Sequence, residues 1–176
     1  LNDEELSEAR DRYQKHRRKI NQIHSNFKEL ANIKAAELDL KNEEFREEWD
    51  SLVKASDEGS AEAQFEIARY FIKGENVDQD YEIALEFLSR AVKQDYPPAI
   101  TNLGNLYFHG LGVEKNTEFG MKCWEHAASK HELQGIFNLG YALEHSSEVP
   151  RDLDKALYCY ELAAKEHHPG AMRELG

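Results

Sequence analysis

Residues 99–113 read AITNLGNLYFHGLGV, and this stretch is the clearest copy of a unit that the chain repeats every 36 residues. When the sequence is shifted by that period, two columns of small residues align without an insertion. These columns are Ala63, Ala99, Gly135 and Ala171, and Ala68, Gly104, Gly140 and Gly176. A fixed period of this length is typical of stacked supersecondary units, none of which can bury its apolar face alone. The sequence therefore predicts a repeat array.

Each unit predicts a pair of helices. In the second unit the first helix covers Ala99 to His109, because its apolar residues recur at helical spacing. A glycine inside this helix costs about 1 kcal/mol relative to alanine, so its recurrence at Gly104 and Gly140 predicts a close helix crossing. Polar residues suited to an N-cap stand where each second helix begins. They are Asp80, Asn116 and Asp152.

The period divides the chain into regions. Full units cover 63–98, 99–134 and 135–170 of a repeat region at 61–176, and a fourth unit starts at 171. Residues 41–60 predict a capping helix that represents a degenerate repeat, with Gly59 at its C-terminal end. Because the pattern stops inside a helix at Gly176, we expect the sequence to be a piece of a larger protein.

The N-terminal region 1–40 predicts one long polar helix with a coiled-coil seam. Its apolar residues Leu6, Tyr13, Ile20 and Phe27 are spaced by seven. Such a seam can pair two copies of the chain, which would make a homodimer. Equally, the helix can fold back onto the repeats as a cap.

Composition limits the classes of partner and compartment. The net charge of −12 opposes nucleic-acid binding, and no apolar run reaches the ~18 residues of a membrane span, which predicts no membrane insertion. Cys123 and Cys159 are the only cysteines and occupy one repeat column. Neighbouring helices lie about 9 to 10 Å apart, beyond the reach of roughly 7 Å that a disulfide allows between Cα atoms. Two reduced core thiols favour a reducing compartment and predict a cytoplasmic protein.

The repeated pattern A-x-x-x-L-G-x-x-[YF]-x-x-G-x-G-V resembles the Sel1-like repeat, a relative of the tetratricopeptide repeat. The resemblance covers about 63–176 and implies an all-α, right-handed α-solenoid. The first unit departs from the pattern at Ala68 and Asn76, and the third unit loses both turn glycines. Where the family usually ends its second helix with glycine, this chain has Asp95, His131 and His167.

The resemblance implies a non-enzymatic scaffold or adaptor that binds a protein or peptide in a concave groove lined by the first helices. Asparagine amides in such a groove can donate to and accept from a ligand backbone. The candidate partner-binding residues are Asn102, Asn105, Asn138, Tyr141, Arg69, Lys73 and His109. The sequence predicts no catalytic residue, cofactor or metal site. Two other functions stay open, namely an oligomerisation module that uses the N-terminal helix and a regulatory domain of a larger protein.

Overall fold

The computed structural model describes residues 43–176, and this range contains eight α-helices and no β-strand. The chain divides into two compact units, Leu1–Ser51 and Leu52–Gly176. The predicted long helix and its coiled-coil seam at 1–40 lie outside the described residues. In chain order the helices are α1 Glu43–Asp57, α2 Ala61–Lys73, α3 Tyr81–Val92, α4 Pro97–His109, α5 Thr117–Ser129, α6 Leu133–His145, α7 Leu153–Lys165 and α8 Pro169–Glu174.

Within the second unit the helices pack in sequence order. The most extensive contacts join α2 with α3, α4 with α5, and α6 with α7, and smaller contacts join each pair to the next. Each pair thus makes its main contacts with its neighbours in the chain, as in other solenoid proteins. The second unit is therefore an α-solenoid of three helix pairs, followed by the short helix α8.

The N-caps predicted for the second helices are confirmed. The Asp80 carboxylate accepts a hydrogen bond of 3.0 Å from the backbone N–H of Ile83 at the start of α3. Asn116 caps α5 in the same way at 2.9 Å, and Asp152 caps α7 at 3.0 Å. Because these residues recur every 36 positions, each second helix starts at the same point of its repeat.

The predicted close helix crossing is also confirmed. A Cβ atom on Gly104 would lie 2.7 Å from Trp124 Nε1 and 2.9 Å from the Gly120 carbonyl oxygen. At the same position of the next repeat, a Cβ atom on Gly140 would lie 2.9 Å from Cys159 Cβ. Real Cβ atoms do not approach other heavy atoms this closely, so α4 can meet α5, and α6 can meet α7, only through glycine.

The first helix of each pair begins two residues earlier than the predicted units. The helices start at Ala61, Pro97, Leu133 and Pro169, whereas the predicted units start at 63, 99, 135 and 171. Proline is tolerated in the first helical turn because the N–H that it lacks would have no partner there. Pro97 and Pro98 were predicted to end the first repeat unit, whereas in the structure they begin α4.

The residues that replace the glycine of the family pattern take a left-handed backbone. Asp95, His131 and His167 have φ angles of 56°, 61° and 62°. This region favours glycine, because an L-residue there is strained by about 1–2 kcal/mol. Asp95 gains compensating contacts, since its carboxylate is paired with His126 at 2.7 Å and with Lys130.

His131→Gly is expected to raise the free energy of unfolding by about 0.5–1 kcal/mol, because relief of strain exceeds the added flexibility of the unfolded chain. The exposed His131 side chain makes no hydrogen bond or ion pair within the described part of the chain, so little is lost. Urea unfolding monitored by circular dichroism measures the change. His131→Ala is the matched control and should give no gain, because alanine keeps the strain; equal gains in both variants would contradict this explanation.

Candidate functional site

A cavity of about 630 Å³ lies on the face formed by the first helices of the three pairs. Its wall includes Ile72 of α2 and the apolar residues Leu106 and Phe108 of α4. Five of the seven predicted partner-binding residues also line it. They are Asn102, Asn105, His109, Asn138 and Tyr141.

The two remaining candidates, Arg69 and Lys73, line a neighbouring cavity of about 350 Å³. Both cavities include Ile72, Asn102 and Asn105 in their walls. The two cavities are therefore parts of one elongated depression, which we call the trough. The structure brings all seven predicted residues into the trough, and their role in partner binding stays a prediction.

The trough carries little free charge. The fourteen residues that line the larger cavity include no Asp, Glu, Lys or Arg, although these residues make up 32% of the sequence. In the smaller cavity Arg69 is paired with Glu66 at 2.7 Å, and Lys73 lies 3.4 Å from Glu75. The trough is therefore close to neutral in a chain of net charge −12.

The third charged residue of the smaller cavity, Glu132, is bound to its own chain. Its carboxylate accepts hydrogen bonds from the buried Thr101 hydroxyl and, at 2.6 Å, from the backbone N–H of Gly135. The second of these bonds caps the start of α6. Glu132 therefore holds α4 to α6 and does not offer a free carboxylate to a ligand.

A row of hydrogen-bonded side chains runs along the trough. The Trp124 indole N–H of α5 donates to Asn105 Oδ1 at 3.0 Å and to the Thr101 carbonyl oxygen at 3.2 Å. Asn138 Nδ2 donates to the same Asn105 oxygen at 2.8 Å, and Gln134 Nε2 donates to Asn138 Oδ1 at 2.8 Å. The row therefore joins the second helix pair to the third.

His168 continues this row at the start of α8. Its Nε2 lies 3.2 Å from Gln134 Oε1, and its Nδ1 accepts the backbone N–H of Ala171 at 3.2 Å. Burial lowers the pKa of His168, although Glu132 acts in the opposite direction. A lowered pKa favours the neutral ring, which is the form that can accept a hydrogen bond at Nδ1.

Sequence reasoning missed several residues that shape the trough. It assigned Trp124 only to the core, and it did not connect Gln134 or His168 with the asparagines. Apart from the bond between Gln134 and Asn138, the side-chain hydrogen bonds of this row join residues 19 to 34 positions apart. Periodicity gives the repeat column of a side chain but not its long-range partner, and the column of Trp124 holds the equally core-like Leu88 and Tyr160, so the sequence carries no signal that singles out Trp124.

One cluster in the described range has the composition of a metal site. Ligand atoms of Glu144, His145 and Glu174 lie within 4.8 Å of one another. Two of these groups already interact with the chain, since Tyr160 donates to Glu144 at 2.9 Å and Glu144 lies 3.3 Å from His145. Three exposed or half-buried side chains at the end of the array do not by themselves define a metal site, and the absence of one stays a prediction.

Both cysteines are buried and free. Burial raises the pKa of the Cys123 thiol to about 11, and burial also raises the pKa of Cys159. At neutral pH these thiols are protonated, and a protonated thiol is a weak nucleophile. Cys123 and Cys159 therefore act as small core residues. Among the described helices, none is long and apolar enough to cross a membrane.

Helix pairs stacked in register, with a concave trough on the face of their first helices, define an α-solenoid repeat protein. Three Sel1 repeats match the chain at residues 61–96, 97–131 and 133–168, and the protein belongs to the Sel1 repeat family. The matched segments start at the first residues of α2, α4 and α6. Proteins of this family are generally non-catalytic scaffolds for protein interactions.

Two solved structures resemble the chain. The Sel1 repeat protein from Oxalobacter formigenes is 29% identical, with a TM-score of 0.60, over 73% of this chain and 96% of that one. The protein c5321, a protective antigen of uropathogenic Escherichia coli strains that displays an SLR fold, is 27% identical, with a TM-score of 0.62. That match covers 69% of this chain and 26% of c5321. No curated protein sequence matches this chain.

Proposed function

We propose that this protein is a non-enzymatic adaptor that binds a partner polypeptide in the trough. The observation that carries the proposal is the large, nearly neutral cavity between α2, α4 and α6, lined by apolar side chains and by asparagine amides. Binding sites commonly combine mostly apolar walls with a few polar groups that orient the ligand, in volumes of about 300–1,000 Å³. A solenoid provides such a surface without a reaction centre.

The other functions have less support. Self-association through the seam depends on residues 1–40, which lie outside the described range, and a regulatory role requires domains beyond this sequence. Three features stay predictions, namely a homodimer, the absence of nucleic-acid binding, and a reducing, cytoplasmic compartment.

Affinity capture from cell lysate, followed by mass spectrometry, tests the adaptor function. The variant Asn102→Ala/Tyr141→Ala removes two side chains from the trough, and neither makes a hydrogen bond within the described residues. We expect this variant to fold and to lose the polypeptides that the wild-type chain retains. Circular dichroism and the melting temperature check the fold.

Tyr158→Ala is the matched control. Tyr158 is exposed on α7, and unlike Tyr141 it does not line the trough. We expect the control to retain the same partners as the wild-type chain. If the trough variant retains every partner, or if the control loses them equally, the trough is not the binding surface.

A further inference from the structure

The row of hydrogen-bonded side chains along the trough has a fixed order of donors and acceptors. This order determines which polar groups of the trough remain available to a ligand. An indole nitrogen can only donate, so the Asn105 atom that faces Trp124 must be the oxygen. The Asn138 atom that faces this oxygen must then be the nitrogen, and the same logic places the nitrogen of Gln134 against the oxygen of Asn138. The ordinary ambiguity between amide oxygen and nitrogen is therefore removed by chemistry.

The opposite end of the row agrees with this direction. His168 Nδ1 accepts the Ala171 N–H, so a neutral His168 carries its proton on Nε2 and donates to Gln134 Oε1. Trp124 at one end and Ala171 at the other thus require the same orientation of every amide between them. A reversed amide would place two donors or two acceptors against each other, so the row is held as one unit.

Because of this order of donors and acceptors, the free group of the Asn105 amide is its NH2, which can only donate. Its oxygen already accepts two hydrogen bonds, from Trp124 and Asn138, whereas its NH2 group has no hydrogen-bond partner in the described part of the chain. Asn105 lines both cavities of the trough and is only half-buried. Asn102, one helical turn earlier, likewise makes no side-chain hydrogen bond there. The trough therefore presents free amide N–H groups beside apolar walls.

We infer that the trough binds an uncharged, extended peptide segment, with a main-chain carbonyl oxygen accepting from the Asn105 NH2 group and an apolar side chain seated against Ile72 and Tyr141. This inference rests on the proposed function and specifies the ligand of the same site. The lack of charged residues around the larger cavity favours a neutral segment, because a buried charge without a partner is unfavourable. The two joined cavities favour an extended chain rather than a compact molecule.

Asn105→Asp tests the direction of this hydrogen bond. A carboxylate at this position still accepts from Trp124 and Asn138, but it replaces the free NH2 group with an oxygen that repels a carbonyl. The probe is a library of random linear peptides, displayed on phage and selected on the wild-type full chain. We expect selected peptides to be poor in charged residues and to bind Asn105→Asp at least about tenfold more weakly than wild type. Tyr158→Ala should bind them normally.

Other outcomes separate the inference from the proposed function. Peptides that bind Asn105→Asp as well as wild type but fail to bind Tyr141→Ala would overturn the donor assignment and leave the trough as the binding surface. Peptides that bind both variants normally would overturn both proposals. If selection enriches no peptide, or if amidation of the peptide C-terminus abolishes binding, an uncharged extended segment is not the ligand.

A second measurement does not depend on whether the variant folds. In the ¹⁵N-labelled wild-type chain, the side-chain NH2 resonance of Asn105 should shift when a selected peptide is added. The Gln94 NH2 resonance is an internal control, because that group donates to Gln64 outside the trough. A resonance of Asn105 that does not move while backbone resonances of α4 and α6 shift would overturn the inference.

Discussion

Gly104→Val is expected to lower the free energy of unfolding by about 3 kcal/mol or more, which is the upper range for overpacking of a core. Its first added carbon would lie 2.7 Å from Trp124 Nε1 and 2.9 Å from the Gly120 carbonyl oxygen. Gly120 cannot give way, because its own Cα faces the Gly104 carbonyl oxygen and the backbone of Phe108. Helices α4 and α5 must therefore separate. Urea unfolding followed by circular dichroism measures the loss.

Two further variants isolate the cause of this effect. Gly104→Ala adds only the methyl group found at the equivalent Ala68, and we expect a smaller loss of about 1–3 kcal/mol. Glu125→Val places the same β-branched side chain on the exposed surface of α5, where the change should stay within about 0.5 kcal/mol. If Gly104→Val lost no more stability than Glu125→Val, the close crossing would not explain the glycine.

Sequence reasoning predicted the features of the fold that repeat with the period. The glycine crossing at Gly104 and Gly140 was predictable because a mid-helix glycine is unfavourable unless packing demands it. The N-caps at Asp80 and Asn116 were predictable because capping is local and depends on three or four residues. The helix starts were misplaced by two residues at Pro97, since proline is compatible both with the end of a loop and with the first turn of a helix.

The candidate site was predictable only as a set of positions. Helical spacing placed Asn102, Asn105 and Asn138 on one face, and the structure brings these residues into the trough. From the sequence alone each amide can be both donor and acceptor, whereas in the structure the Asn105 oxygen accepts from Trp124 and Asn138. These hydrogen bonds form because Asn105 lies close to Trp124 and Asn138 on neighbouring helices. A periodic sequence pattern does not give the distance between helices.

The close crossing and the trough depend on the same side chain. Because Gly104 has no side chain, the Trp124 ring can lie against α4 and direct its N–H toward Thr101 and Asn105. A larger residue at 104 would displace the indole and leave Asn138 as the one remaining donor to the oxygen of Asn105. The packing that stabilises the second repeat therefore also orients the donor groups of the trough.

Trp124→Ala is expected to lower the free energy of unfolding by about 3–5 kcal/mol, the usual range when a large buried aromatic residue is truncated. The Trp124 side chain is only 3% exposed and packs against Phe108, with 4.7 Å between ring centroids. Its removal leaves a cavity between α4 and α5 and deprives the Thr101 carbonyl oxygen and Asn105 Oδ1 of their common donor. Urea unfolding is again the measurement.

Trp124→Phe separates the two parts of this loss. Phenylalanine keeps most of the packing against Phe108 but has no N–H, so the loss should fall to about 1–2 kcal/mol, which reflects the lost indole hydrogen bonds, because Asn105 Oδ1 still accepts from Asn138. Phe119→Leu on the same helix is the control, because Phe119 is 40% exposed and should contribute less than about 1 kcal/mol. Without the indole N–H, Asn105 Oδ1 keeps only the hydrogen bond from Asn138, so the Asn105 amide is held less firmly and peptides selected on wild type should bind Trp124→Phe more weakly. A Trp124→Phe variant with wild-type stability and wild-type peptide binding would show that packing alone, and not the indole N–H, explains this tryptophan.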